Sequence, residues 1–126
     1  MTAHRFFMQR RDELFLADIL EAAESIRGFL EALETQNSDA LVKNDLVRSA
    51  VLQKLSVIGE AASRISDETR VQYPRVPWRQ ARGMRNLLVH AYFSVDWEIV
   101  WRTATESVPR LAEDVVAILG ADSRRE

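Results

Sequence analysis

The sequence predicts an all-α protein, an up-and-down bundle of four helices. Apolar residues recur at alternating intervals of four and three along most of the chain, which is the period of a helix face and not of a strand. Four such segments are separated by short polar or proline-containing stretches. The 126 residues are 47% hydrophobic and include no cysteine, so the core forms without disulfides or thiolate zinc sites. We therefore expect one helical domain that spans residues 1–126.

The first helix is predicted over residues 12–33, and a polar break follows at residues 35–39. Its apolar stripe consists of Phe15, Ile19, Ala22, Ile26, Phe29 and Leu33. A stripe this regular indicates a helix that packs nearly parallel or antiparallel to its neighbours. The stripes of the bundle also leave room for a second copy of the chain to pack against this one.

The second helix is predicted to begin at Asn44 or Asp45, either of which could cap it, and to end at Ile65. Its apolar arc is wide, which favours a central position, and includes Val47, Val51, Leu55, Ile58, Ala62 and Ile65. Gly59 inside this helix costs about 1 kcal/mol relative to alanine, which is tolerable if another backbone approaches closely there. Residues 66–76 are predicted to form a loop.

The third helix is predicted to open at Pro77, because proline is favoured at the first helical position, and to run to about His90. Its buried side consists of Trp78, Ala81, Met84, Leu88 and Ala91. It contains the polar residues that carry the functional prediction below.

The fourth helix is predicted to begin near Ser94 or Asp96 and to end at Gly120. Its apolar face consists of Trp97, Trp101, Ala104, Val108, Leu111, Val115 and Ile118. Pro109 lies inside this helix and has no backbone N–H, so we expect a kink there.

The positive charge is concentrated in one part of the chain. Residues 69–95 contain five arginines and no acidic residue, so a chain with a net charge of −2 carries +5 in this segment and −7 elsewhere. This asymmetry predicts a localised anion site rather than general binding of polyanions. The alternative is that the arginines pair with acidic residues of neighbouring helices.

We expect a cytoplasmic protein without a membrane span. No apolar run approaches the roughly 18–20 residues that a membrane-spanning helix needs. The N-terminus is too short and too charged for a signal peptide. The absence of cysteine fits a reducing compartment.

The polar residues of the third helix predict a phosphodiester site. On one continuous helix Arg82, Asn86 and His90 would be successive i, i+4 neighbours, with Arg79 one turn earlier. Arg85 lies about 140° around an ideal helix from His90, and its long side chain could bend toward the same site. The arginine guanidinium offers a fork of donors for two phosphate oxygens, and histidine exchanges protons near neutral pH.

If this set cleaves RNA, we expect it to do so without a metal ion or another cofactor. The segment offers no convergent carboxylates for Mg²⁺ and no histidine cluster for zinc. The 2′-hydroxyl would attack its own phosphate, His90 would move protons and Arg85 would stabilise the charge that builds on the phosphate oxygens. The products would carry a 2′,3′-cyclic phosphate and a 5′-hydroxyl.

Each of these residues also has a purely structural interpretation. A single histidine in an apolar run is more often a core or interface residue than a catalytic one. Asn86 could be a buried structural amide, and Tyr92 could be a half-buried packing residue. Trp78, Trp97 and Trp101 fit the core better than a platform for stacking bases.

The segment Arg85-Asn-Leu-Leu-Val-His90 resembles the R-x4-H motif of HEPN-domain ribonucleases. Ala91 and Tyr92 extend it to R-x4-H-x-Y, which looks like the motif of HepT toxins. Further similar stretches follow in the same order along nearly the whole chain: residues 58–62, Pro77-Trp78, residues 83–86, Val95-Asp96 and residues 108–111.

The resemblance implies a fold, a site and a set of partners. The fold would be a HEPN-like helical bundle that forms a homodimer and brings two motifs to one cleft. Arg85 and His90 match the catalytic pair, and Asn86 matches a polar residue that assists. Tyr92 matches the tyrosine to which a minimal nucleotidyltransferase antitoxin adds AMP. The chain would then be the toxin of a type II toxin–antitoxin system, with RNA, usually tRNA, as the substrate. Arg79 and Arg82 remain candidates for binding phosphate.

Two other functions stay open from the sequence. The chain could be a non-catalytic helical module that binds a nucleotidyltransferase or nucleic acid. It could also be a structural dimer whose arginines only form ion pairs.

Overall fold

The computed structural model describes residues 6–90 and 96–123, with residues 88–90 described by their backbone only. Within these ranges the chain forms α1 (Arg10–Glu31), α2 (Ser38–Lys43), α3 (Asp45–Arg64), α4 (Asp67–Gln72), α5 (Trp78–Gly83), α6 (Arg85–His90), α7 (Trp97–Arg102), a π-helical turn (Thr103–Ser107) and α8 (Val108–Ser123). The described part contains no strand, which confirms the all-α prediction.

The four predicted helices correspond to α1, α3, the pair α5 and α6, and the continuous run from α7 to α8. The central pair is α1 and α3, with α8 packed on α1 and with α5 and α6 packed on α3. The side chains that fill the centre are Leu16, Ile19, Ile26, Val51, Leu55, Ile58, Leu111, Val115 and Ile118. The core therefore follows the predicted apolar stripes in its centre, but Phe15, Phe29, Trp97 and Trp101 lie at its edge, whereas Leu16 and Val100 lie inside. The predicted buried side chains of Leu88 and Ala91 lie outside the described residues.

Asn44 caps its helix, as one of the two predicted caps, and Asp96 caps the helix that was predicted to begin near Ser94 or Asp96. The Asn44 side chain accepts a hydrogen bond from the N–H of Val47 at 3.0 Å, at the start of α3. The Asp96 side chain accepts from the N–H groups of Glu98 and Ile99 at the start of α7. Both satisfy donors that the first helical turn leaves without a partner.

The predicted loop at residues 66–76 is wrong in its first half, which forms α4. Ser66 caps this helix by accepting from the N–H of Thr69 at 3.3 Å, and Asp67 and Glu68 lie in its first turn. These cap and charge signals are present in the sequence and could have revealed the helix. The polar break at residues 35–39 was also too long, because α2 begins at Ser38.

Asp12 connects the start of α1 to the start of α4. Its side chain is only 1% exposed. It accepts hydrogen bonds from the Ser66 N–H at 3.1 Å, the Ser66 hydroxyl at 2.5 Å and the Thr69 hydroxyl at 2.6 Å. Three donors replace the water that a buried carboxylate loses, so this contact can hold the two helix ends together.

The third predicted helix is broken at Met84, which separates α5 from α6. The hydrogen bonds around the break span three residues: the Met84 N–H donates to the Ala81 carbonyl and the Leu87 N–H donates to the Met84 carbonyl. Met84 itself is buried. Gly83, the last residue of α5, is a poor helix former and is the local signal for an interruption at this point.

Pro109 follows a π-helical turn, which is one of the usual sources of a helix bend. In a regular α-helix the proline ring would crowd the Thr105 carbonyl. In the turn before it, the Thr105 hydroxyl donates to the Trp101 carbonyl at 2.7 Å, and the Thr103 hydroxyl donates to the Ile99 carbonyl at 2.7 Å. The helix continues past the predicted end at Gly120 to Ser123.

The tryptophans belong to the packing of the bundle. Trp78 is buried and donates its indole N–H to the Tyr73 carbonyl at 3.0 Å. Trp97 and Trp101 are partly buried against the core, and the Arg48 guanidinium lies 5.8 Å from the centre of a Trp97 ring. Within the described ranges, no helix has both the length and the apolar character needed to cross a membrane.

Candidate active site

Arg85 is the first residue of α6, and its main chain lies directly against Gly59 of α3. A Cβ atom built at residue 59 would lie 2.3 Å from the Arg85 nitrogen and 2.7 Å from the Arg85 Cβ. No side chain fits in this space, so only glycine allows the two helices to approach this closely. The close backbone approach that makes a glycine tolerable at this position is present, and the backbone is that of Arg85.

The Arg85 guanidinium lies near the carboxylate of Glu60, the residue that follows Gly59. The distance from Arg85 Nη1 to Glu60 Oε2 is 3.8 Å. The other carboxylate oxygen, Oε1, accepts a hydrogen bond of 3.0 Å from Nε of Arg64. Glu60 thus lies between two cations, and all three side chains are about half exposed.

Asn86 is exposed and follows Arg85 in α6. His90 is the last residue of the same helix, one turn after Asn86. The structure therefore places the three residues predicted as catalytic on one six-residue helix, with the main chain of α6 held against α3. The side chain of His90 and the whole of Tyr92 lie outside the described part of the structure.

Arg79 and Arg82 lie on α5, on the other side of the break at Met84. The predicted single helix face with Arg82, Asn86 and His90 is therefore wrong in its register, because α5 and α6 are not one continuous helix. Arg79 is exposed and Arg82 is partly buried. Their approach to Arg85 depends on the angle at the break and not on i, i+4 spacing.

The arginines of the basic segment pair only in part with acidic residues. Arg70 pairs with Asp67 within α4, and Arg85 contacts Glu60 across the α3–α6 contact. Among the residues that the structure describes, Arg75, Arg79 and Arg82 form no ion pair, so no acidic partner there neutralises these three cations. Within the same residues, no group of three histidine, aspartate or glutamate side chains is arranged to hold a metal ion.

Arg64 and Glu60 were not among the predicted site residues. In the sequence, Glu60 stands out only as part of the family-like stretch at residues 58–62, and Arg64 lies outside the arginine-rich segment. No local signal indicates that α3 and α6 meet at this point, apart from the glycine inside an otherwise regular apolar helix.

Comparisons with known proteins identify the family of the chain. The family model described as ribonuclease HepT-like matches residues 19–118. A Methanocaldococcus jannaschii protein named "Putative RNase MJ1380" is 36% identical over 86% of this chain and 97% of its own length. A Thermococcus cleftensis protein named "Probable ribonuclease HepT" is 35% identical over 82% of this chain and 92% of its own length. No solved structure shows significant similarity to the chain. The match over most of the chain, on a helical bundle that presents Arg85 and His90 on one short helix, shows that the chain belongs to the HepT-like ribonuclease family.

Proposed function

We propose that the protein is a metal-independent endoribonuclease in which Arg85 binds the scissile phosphate and His90 moves protons. The observation that carries this proposal is how Arg85 is held: its main chain is packed and its side chain is exposed. Its main chain is held against Gly59, while its guanidinium is 51% exposed and lies 3.8 Å from Glu60, beyond hydrogen-bonding distance. Such a side chain is fixed at its base and keeps its donors for an incoming anion.

The proposed reaction needs only groups of the RNA and of α6. The 2′-hydroxyl oxygen attacks the adjacent phosphorus, and the bond from phosphorus to the 5′-oxygen breaks. His90 takes the proton of the 2′-hydroxyl and gives a proton to the 5′-oxygen, so the products are a 2′,3′-cyclic phosphate and a 5′-hydroxyl. His90 serves this proton transfer, because imidazole titrates near neutral pH. Arg85 stabilises the charge on the phosphate oxygens, and Asn86 orients them.

The biological role that fits this chemistry is that of a type II toxin. We infer a tRNA substrate, a homodimer with two R-x4-H-x-Y motifs at one cleft and a minimal nucleotidyltransferase as the antitoxin. The family membership and the order of Arg85, Asn86, His90 and Tyr92 in the sequence support this role. Arg79 and Arg82 add positive charge for the RNA backbone on the neighbouring helix.

Tyr92 is the proposed point of neutralisation. AMP on the tyrosine two positions after His90 would place a phosphate and a base beside the arginines. That phosphate would compete with the substrate phosphate for Arg85.

The deciding experiment is cleavage of total tRNA in EDTA by the purified protein, with its mass confirming that Tyr92 is unmodified. We expect cleavage that leaves cyclic phosphates and disappears in His90→Ala. The control is Arg110→Ala, which removes an exposed arginine on α8 and should cleave as the wild type does. If wild type and His90→Ala cleave equally, His90 is not catalytic. If the unmodified wild type cuts no RNA, the chain is better described as a binding module.

The Tyr92 proposal is tested separately by intact mass after incubation with the antitoxin and ATP. We expect the mass to increase by one AMP in the wild type and to stay unchanged in Tyr92→Phe. Labelling of Tyr92→Phe would place the modification elsewhere, and absence of labelling in the wild type would leave steric coverage as the mechanism of neutralisation.

A further inference from the structure

We propose that Gly59 and Glu60 together position Arg85, and that Arg64 holds Glu60 so that Arg85 is released to the phosphate. This inference rests on the proposed ribonuclease function and assigns roles on α3 to residues outside the R-x4-H motif. Gly59 acts on the main chain of Arg85, Glu60 on its guanidinium and Arg64 on the carboxylate of Glu60.

The first step concerns the main chain. Three atoms of Arg85, its nitrogen, Cα and Cβ, lie within 2.9 Å of the position that a Cβ at residue 59 would take. These are backbone and Cβ atoms, which cannot move aside as the end of a flexible side chain could. Any side chain at residue 59 must therefore push the start of α6 away from α3. This shift of α6 would also change the direction in which the Arg85 side chain projects.

The second step concerns the guanidinium. Because Glu60 follows Gly59 in α3, the turn that contacts the Arg85 main chain also carries the carboxylate that faces its side chain. The separation of 3.8 Å gives a Coulombic attraction without using the N–H donors of Arg85 in a direct hydrogen bond. Glu60 thus restricts the guanidinium to one region and leaves its fork of donors for a phosphate.

The third step concerns the release of Arg85. Glu60 is bound more closely by Arg64, at 3.0 Å, than by Arg85, at 3.8 Å. When Arg85 moves to a phosphate, the carboxylate keeps Arg64 as its partner and is not left unpaired. The exchange therefore costs little, whereas a carboxylate paired only with Arg85 would compete with the phosphate for it.

The kinetic test uses neutral, similarly sized replacements. Glu60→Gln removes the charge that restricts Arg85, so we expect kcat on an RNA substrate to fall by about two- to fivefold without a rise in KM. Arg64→Gln leaves Glu60 to Arg85 alone, so we expect KM to rise by about two- to fivefold. The matched control is Arg27→Gln, which removes an exposed arginine that pairs with Glu24 and Glu31 on α1 and should leave both constants unchanged.

The double variant separates an action through Glu60 from direct RNA binding by Arg64. If Arg64 acts through Glu60, Arg64→Gln does not raise KM in the Glu60→Gln background. If KM rises equally in both backgrounds, Arg64 contacts the RNA itself and the third step is overturned. Unchanged kinetic constants in Glu60→Gln overturn the second step.

Gly59→Ala tests the first step, with Gly28→Ala as the control, because a Cβ at Gly28 meets no atom within 4 Å. We expect a folded Gly59→Ala protein to lose at least tenfold in kcat and Gly28→Ala to keep the wild-type value. A folded Gly59→Ala protein with wild-type kcat overturns the role of Gly59. If Gly59→Ala does not fold, the variants at Glu60 and Arg64 still decide the proposal.

A measurement without RNA separates this proposal from the ribonuclease function. In ¹⁵N NMR spectra, the Arg85 Nε–Hε signal should shift or broaden in Glu60→Gln and stay unchanged in Arg27→Gln. If the wild type cuts no RNA but this signal responds, the positioning of Arg85 by Glu60 stands and the proposed function fails. A signal that does not respond to Glu60→Gln overturns the positioning whatever the activity.

Discussion

The main chain of Arg85 packs on Gly59 so closely that a Cβ at residue 59 would lie 2.3 Å from the Arg85 nitrogen. The residue proposed to bind phosphate is therefore placed by a residue far from it in the chain. This contact joins α3 to the start of α6 and makes stability and site geometry depend on one glycine.

Gly59→Ala should destabilise the fold, although alanine is the better helix former. The overlap with Arg85 forces a shift of α6, which we expect to lower the free energy of unfolding by about 1–3 kcal/mol. Gly28→Ala, in open space on α1, should instead raise it by about 0.4–1 kcal/mol. Urea denaturation of both variants checks the prediction. Equal gains in stability would show that the close contact does not exist.

Asp12→Ala should cost about 3 kcal/mol of stability, because it removes a buried carboxylate that accepts hydrogen bonds from Ser66 and Thr69. Asp18→Ala, at an exposed aspartate on the same helix, should change stability by less than about 0.5 kcal/mol. The measurement is again urea denaturation, with circular dichroism to follow helix content. Similar values for the two variants would contradict a structural role for Asp12.

Arg85→Ala should separate stability from activity. The side chain is 51% exposed and its contact with Glu60 is loose, so the free energy of unfolding should change by less than about 1 kcal/mol. Loss of the group that stabilises phosphate charge should lower kcat by about 100-fold or more. The comparison needs thermal melts and cleavage assays on the same preparation. A folded variant that cleaves within tenfold of the wild type would remove Arg85 from the mechanism.

The pH dependence of stability should carry a contribution from Glu13. Its pKa is raised above 4.5, first by a side-chain hydrogen bond with Asp122, then by burial and by the like charge of Asp122, while Arg10 acts in the opposite direction. At a pH between the unfolded and the folded pKa, Glu13 thus keeps its proton in the folded state and has lost it in the unfolded state. This contribution to stability is fully present below the unfolded pKa and disappears as the pH rises through the folded pKa.

Asp122→Asn should accordingly be more stable than the wild type near neutral pH, and the difference should shrink or reverse below pH 4.5. Asparagine keeps a hydrogen-bonding partner for Glu13 without the second negative charge. Thermal melts across this pH range test the prediction, with Asp114→Asn on α8 as the same substitution elsewhere. A difference that is independent of pH would rule out the coupling between Glu13 and Asp122.

Most of the fold could be predicted because its signals are local. The apolar spacing located the long helices, and Asn44 and Asp96 cap α3 and α7 as expected. The short helix α4 was missed although Ser66 and the acidic residues after it indicate a helix start. The break at Met84 was also missed, although Gly83 directly before it is a poor helix former.

For the site, the sequence alone determined which residues are present: an arginine and a histidine at motif spacing, and a glycine that is tolerable inside a helix if it has a close neighbour. Only the tertiary structure decided that this neighbour is Arg85, that Glu60 and Arg64 stand beside it and that Arg82 belongs to a separate helix. The physical reason is how far apart along the chain the interacting residues lie. Helix period and capping depend on residues a few positions apart, whereas the contact between α3 and α6 depends on the packing of the whole bundle.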